Sequence, residues 1–292
     1  MGKIKIITDS ASDITFAAEK ENNIEVISFS VVLGDKVYTS RVDFDNSAFY
    51  ELMKENDEIP KTSQITAFQF EEIYEKYSKE GYTDLILVLI NSHGSATYQN
   101  SLMAIDNFFE EHPEYKGKVN ITSHDSGCYT GAYGDLVIKA AKMAAQGEEA
   151  EKINAFLEER LPRRCVYFGM YTLKYAGKSG RIPSAAAFVG DKLGIKPIMK
   201  LWDHEIVTAS KCRGDKKLMA KVIDMAVADM EPGSEYQIVY AENKESAEEL
   251  IRRMTEKVGY GPSDEYQVGA EVASNAGPRL VGVIFDAKEG IK

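Results

Sequence analysis

Cysteine is scarce in this sequence: Cys128, Cys165 and Cys212 are the only three in 292 residues. An odd number, widely separated, does not suit a disulfide-stapled scaffold. No paired-cysteine spacing and no His-Glu-x-x-His pattern occurs, so no metal site is expected. Buried, reduced thiols are the simpler reading. Basic residues are outnumbered, 35 Lys and Arg against 46 Asp and Glu, for a net charge of −11. That balance argues against nucleic acid or an anionic membrane surface as the main partner. No apolar run approaches the roughly 20 residues that cross a bilayer, so no stable membrane insertion is expected. Met1-Gly2-Lys3-Ile4-Lys5 leads directly into a strand pattern and lacks the apolar region of a secretory signal. A cytoplasmic protein is the expectation.

What is present is ordinary globular material, 44% hydrophobic, in a chain longer than one core usually serves. Two domains are expected, 1–161 and 162–292, divided at Leu161-Pro162. The first alternates strand and helix patterns: strands at Lys3–Thr8, Ile24–Leu33, Asp84–Ile90 and Val119–Ser123, and helices running to Asn22, over Ser47–Glu55, Ala67–Glu80 and Ala96–Glu111, and to Gln146. This rhythm predicts a mainly parallel sheet flanked by helices. Gly34-Asp35 reads as a hairpin turn into Lys36-Val37-Tyr38. After a charged helix, Glu148–Arg160, the second part predicts an α+β domain with a mixed or antiparallel sheet. Its strands are Cys165–Met170, the hairpin Lys196–Leu201 and Ile206–Lys211, Tyr236–Tyr240, Glu265–Val272 and Val281–Phe285. Its helices are Ala185–Leu193, Lys216–Met230 and Lys244–Val258. The fold class is therefore α/β with an α+β second domain.

Four polar clusters fall at or near the carboxyl ends of strands, where open parallel sheets bind ligands. They are Thr8-Asp9-Ser10, Lys61-Thr62-Ser63-Gln64, Asn91 to Thr97, and Ser123 to Gly127. For Asp9, Ser12, Asp13 and Asp125, capping or loop hydrogen bonding is the stronger reading. The Ser92–Thr97 stretch has more hydroxyls than one helix cap needs, and it opens into a helix N-terminus suited to a carboxylate or phosphate. A serine nucleophile needs a base beside it. His93 and His124 follow two strand ends and leave that arrangement open, although Gly94–Tyr98 has Tyr98 at the second glycine of a nucleophile elbow. Gly177-Lys178-Ser179 lacks the upstream glycine of a P-loop, because position 172 is Thr172.

At these clusters the sequence resembles the DegV family of fatty-acid-binding proteins. Thr8-Asp9-Ser10-Ala11-Ser12-Asp13-Ile14 is similar to the family's opening Thr-Asp-Ser-x-x-Asp-Leu. Thr62-Ser63-Gln64 matches Thr-Ser-Gln-Pro with Ile65 for the proline, and Ser92–Gln99 resembles Ser-x-Leu-Ser-Gly-Thr-Tyr-Gln. Asp125-Ser126, Gly180-Arg181-Ile182, Lys196-Pro197-Ile198 and Arg213-Gly214 follow in order. The resemblance implies one acyl chain between two domains, its carboxylate held by Thr62, Ser63, Ser92 and Ser95. Arg181 and Arg213 are implied as supporting or partner contacts. Asn275 stands where the family usually carries a head-group histidine; its amide can still hydrogen-bond a carboxylate but cannot become cationic. Gly94 and Ala96 replace the usual leucine and glycine.

The resemblance further implies a non-catalytic carrier without a cofactor, binding a long-chain fatty acid. In several bacterial members a separate fatty acid kinase subunit phosphorylates the carboxylate. Two rival readings are a serine-dependent acyl hydrolase or transferase using Ser92 or Ser95, and a regulatory module for a smaller carboxylate.

Overall fold

The structure, a computed structural model, describes residues 2–56, 58–182 and 194–291. The expected helix Ala185–Leu193 lies outside them. Seven strands fall in the first part of the chain: β1 (Ile4–Asp9), β2 (Glu25–Ile27), β3 (Ser30–Leu33), β4 (Lys36–Thr39), β5 (Lys61–Ser63), β6 (Asp84–Leu89) and β7 (Asn120–Asp125). The helices between them are α1 (Phe16–Glu21), α2 (Asn46–Glu55), α3 (Ala67–Lys79) and α4 (Thr97–Glu111), with α5 (Gly131–Ala145) and α6 (Ala150–Arg160) after β7. Strands β2, β1, β6 and β7 form one wholly parallel sheet in that order. Leu85 to Leu89 of β6 are all buried, as a strand covered on both faces requires. Each such side chain contributes about 1.5–3 kcal/mol on leaving water.

The chain runs from β1 outward to β2 and then back past β1 to β6. The order therefore reverses between β1 and β6, which is where such a sheet opens a crevice. α3 begins at a capping box in which Thr66 and Gln69 satisfy each other's backbone N–H groups.

The remaining strands are β8 (Arg164–Met170), β9 (Ile195–Trp202), β10 (Glu205–Arg213), β11 (Tyr236–Tyr240), β12 (Asp264–Gln267) and β13 (Leu280–Asp286). They build a mixed sheet ordered β10-β9-β8-β13-β11-β12, antiparallel except for β11 with β12. α7 (Ala176–Ser179), α8 (Asp215–Asp229), α9 (Lys244–Val258) and α10 (Ala270–Ala276) complete the described elements. Strand alternation divides this sheet's two faces. Val166, Phe168 and Met170 of β8, with Leu280 and Ile284 of β13, join the apolar cluster that continues into the first part of the chain. Cys165 and Tyr167, with Val281, Val283 and Phe285, pack under α8 and α9 instead.

Two expected strands divide. Ile24–Leu33 breaks at Ser28-Phe29, where the Phe29 N–H donates to Ser10 Oγ at 3.0 Å rather than to a ladder. Beyond the break β3 leaves the parallel sheet and pairs with β4 and β5 in an antiparallel sheet of its own. Glu265–Val272 ends as a strand at Gln267. The Gly269 N–H donates to Asp13 Oδ1 at 2.9 Å, Tyr50 Oη donates to the Val268 carbonyl at 2.6 Å, and the chain turns into α10.

Candidate functional site

The segment after the carboxyl end of β6 faces the β8–β13 sheet across a cavity of about 590 Å³. Its sheet side is apolar: Val166 and Phe168 from β8, Leu201 from β9, Ile206 from β10, Val239 from β11 and Leu280 from β13. Opposite them stand Phe29, Ile90 and the loop Ser92–Ala96, with Thr62 from β5 and Asn275 from α10. Of the expected set Thr62, Ser63, Ser92, Ser95 and Asn275, all but Ser63 thus line one cavity, together with Arg181. Ser63 and Arg213 do not line it. In a strand neighbouring side chains point to opposite faces, so Thr62 facing the cavity turns Ser63 away. Arg213 is exposed at the end of β10.

The hydroxyls differ in how free they are. Ser95 Oγ is engaged locally, 2.9 Å from Thr97 Oγ1, and it accepts the Thr97 N–H at 3.3 Å at the start of α4. Among the described residues, Ser92 is anchored through its backbone N–H, which donates to Asp125 Oδ1 at 3.0 Å. Neither the Ser92 nor the Thr62 hydroxyl has a partner among the described residues. Asn275 Nδ2 donates to the Glu271 carbonyl of its own helix at 2.8 Å, and its amide oxygen has no partner among the described residues. Two unpartnered hydroxyls beside the positive end of α4 make a neutral site for an anion, with no basic residue required.

His93 lines the same cavity, but the imidazoles are engaged with other partners. His93 Nδ1 lies 3.0 Å from Glu205 Oε1, and His124 Nε2 lies 2.8 Å from Asn154 Oδ1. Among the described residues no imidazole hydrogen-bonds Ser92 or Ser95. The β9–β10 turn carries His204, whose carbonyl accepts from Asn91 Nδ2 at 2.8 Å and whose ring lies 5.2 Å from that of His93. This clamps the hairpin over the Ser92 loop. Asp9, Ser12, Asp13 and Asp125 serve the backbone: Asp9 accepts the N–H groups of Ala11 and Ile90, Ser12 Oγ donates to the Asp9 carbonyl, Asp13 accepts Gly269, and Asp125 accepts Ser92 and Gly127.

Several lining residues lie outside the expected set. Gln64 and Gln99 belong to the recognised motifs. Tyr129 and Glu271 carried no local signal: one follows the fourth polar cluster, and the other sits on a helix read as strand. Glu271 is buried and accepts from Ser10 Oγ at 2.6 Å, tying α10 to the end of β1. Thr130, also on the wall, holds φ at 57°. For a β-branched residue that backbone conformation costs on the order of 1–3 kcal/mol. Its N–H donates to the Ala11 carbonyl at 2.9 Å, a bond that helps hold it there. Among the described residues no group of three or more His, Cys, Asp or Glu could hold a metal, and no helix is long and apolar enough to cross a membrane.

A family model described as an uncharacterised protein of the DegV family matches residues 3–288. A DegV domain-containing protein of Clostridium acetobutylicum is 31% identical over 290 residues, covering 99% of this chain and 100% of the relative. The crystal structure of a DegV lipid binding protein from Thermotoga maritima is 26% identical, with a TM-score of 0.82 over 98% of each chain. That of DegV, a fatty acid binding protein from Bacillus subtilis, is 25% identical, with a TM-score of 0.81 over 99% of this chain and 100% of the other.

Proposed function

The chain belongs to the DegV family, and on that footing we propose that it binds one long-chain fatty acid in the cavity between its two main sheets. The observation that carries this reading is the pairing of unpartnered Thr62 and Ser92 hydroxyls with a wall of apolar side chains from five strands. The hydroxyls hold the carboxylate, the first turn of α4 adds its positive end, and Ser95 and Asn275 complete the polar rim. The alkyl chain lies along Val166, Phe168, Leu201, Val239 and Leu280 and supplies most of the affinity, at about 0.8 kcal/mol per buried methylene.

The protein performs no chemistry on the lipid in this reading. A separate fatty acid kinase would act on the presented carboxylate, with exposed Arg181 and Arg213 as the side chains offered to it. Among the described residues no imidazole hydrogen-bonds Ser92 or Ser95, the pairing that the hydrolase reading needs. In the binding reading, Thr62→Ala with Ser92→Ala weakens fatty acid binding by about 1.5–3 kcal/mol per lost hydrogen bond to the charged head. Isothermal titration with a long-chain fatty acid measures this. Unchanged affinity in the double variant would move the carboxylate elsewhere in the cavity.

A further inference from the structure

Thr130 stands at the N-cap of α5, where a threonine hydroxyl ordinarily accepts an N–H of the first helical turn. Here it caps nothing. The hydroxyl has no partner among the described residues, and the residue lines the cavity while only 5% exposed. Its backbone holds φ at 57° and ψ at −149°, at the edge of a region that essentially only glycine adopts. The chain thus keeps a β-branched side chain where the backbone favours none, and spends its hydroxyl neither on the helix nor on a neighbour.

Glu271 is placed beside it on the cavity floor. The Thr130 N–H donates to the Ala11 carbonyl, and Glu271 Oε1 accepts from Ser10 Oγ, so both residues are tied to the consecutive pair directly after β1. Glu271 also lies one turn of α10, about 5.4 Å, before Asn275 on the polar rim. A plain alkyl chain passing here strips water from the Thr130 hydroxyl and returns no hydrogen bond, a net loss. A hydroxyl group both donates and accepts. On the chain it can accept from Thr130 and donate to the Glu271 carboxylate, whose oxygens each have room for more than one donor.

We propose that Thr130 and Glu271 form a polar subsite for a hydroxyl carried on the acyl chain a few carbons from its carboxylate. The preferred guest is then a hydroxy fatty acid, an inference that rests on the fatty-acid reading and narrows it. Calorimetric titration of hexadecanoate, 3-hydroxyhexadecanoate and 5-hydroxyhexadecanoate into the wild type, Thr130→Val and Thr130→Gly tests it.

The expected result is that the wild type binds one of the two hydroxy acids at least about fivefold tighter than hexadecanoate, the effect of one neutral hydrogen bond. Valine keeps the branch and removes the oxygen. Thr130→Val should therefore bind hexadecanoate more tightly than the wild type does and the hydroxy acid more weakly. Thr130→Gly, which relaxes the backbone and so secures a folded comparison, should lose the preference too. A wild type that binds hexadecanoate but prefers neither hydroxy acid would overturn the subsite and leave the fatty-acid reading standing. A preference that survives both substitutions would overturn it as well. So would an equal loss of all three acids in Thr130→Val, since the hydroxyl would then only support the wall. Absence of binding by all three acids to the wild type would remove the fatty-acid reading itself, and the subsite with it.

Discussion

Asp9 is wholly buried, yet it is surrounded by donors: Ala11 N–H at 3.0 Å, Ile90 N–H at 2.7 Å and Tyr133 Oη at 2.7 Å. Burial outweighs these bonds and pushes its carboxyl up to about 7. Asp13 is raised well above its ordinary value for the same reason, with the Glu271 carboxylate adding to the effect. A free aspartate titrates near 3.9. Between about pH 4 and 7 the unfolded chain has therefore lost a proton that native Asp9 keeps. The stability this confers is fully present at the acid end and is lost as the pH rises through 7, by at most ~1.4 kcal/mol per pH unit. Asp9→Asn removes the titrating group. Urea unfolding at pH 5.5, 6.5 and 8 should show wild-type stability falling relative to the variant as pH rises. A difference that stays constant would mean Asp9 is ionised throughout.

Among the elements, the loop joining β6 to α4 shows why one departure from the family pattern is tolerated. A Cβ placed on Gly94 would come 2.3 Å from Tyr129 Oη, so the glycine and the tyrosine divide one space. Gly94→Leu alone should push Tyr129 off its wall and weaken fatty acid binding about tenfold, ~1.4 kcal/mol. Adding Tyr129→Ala should recover most of that loss in the same titration. Wild-type binding by Gly94→Leu would show that Tyr129 swings aside without consequence. The strand–helix alternation was legible because a nearly all-apolar run such as Asp84–Ile90 announces a covered strand by itself. The motifs likewise brought Thr62, Ser92, Ser95 and Asn275 to one cavity. What stayed hidden depends on partners far along the chain. Val268-Gly269-Ala270-Glu271-Val272 is a short apolar run that fits strand or helix. Long-range bonds hold the segment where the strand gives way to helix: Gly269 N–H donates to Asp13, Tyr50 to the Val268 carbonyl, Asn46 to the Gln267 carbonyl and Ser10 to Glu271.

For the molecule as a whole, we propose that 1–161 and 162–292 fold as separate units joined at the 3-10 turn Leu161–Arg163. One apolar cluster runs from Ile6 to Ile284 across both parts, so neither unit should reach full stability alone. Expressed by itself, 1–161 should unfold cooperatively in urea at a lower midpoint than the full chain. A fragment without a cooperative transition would make the whole chain the folding unit. The hydrogen bond from Ser10 to Glu271 joins residues 261 positions apart, at the floor of the cavity. A partly folded chain therefore has no chamber in which to keep a guest, and occupancy becomes a certificate that assembly is complete. A guest recognised only by finished molecules also draws marginal ones toward completion, by about 2.7 kcal/mol when its free concentration is a hundred times its Kd. Supply of the guest would then set how much of the protein survives, as well as how much of it is loaded.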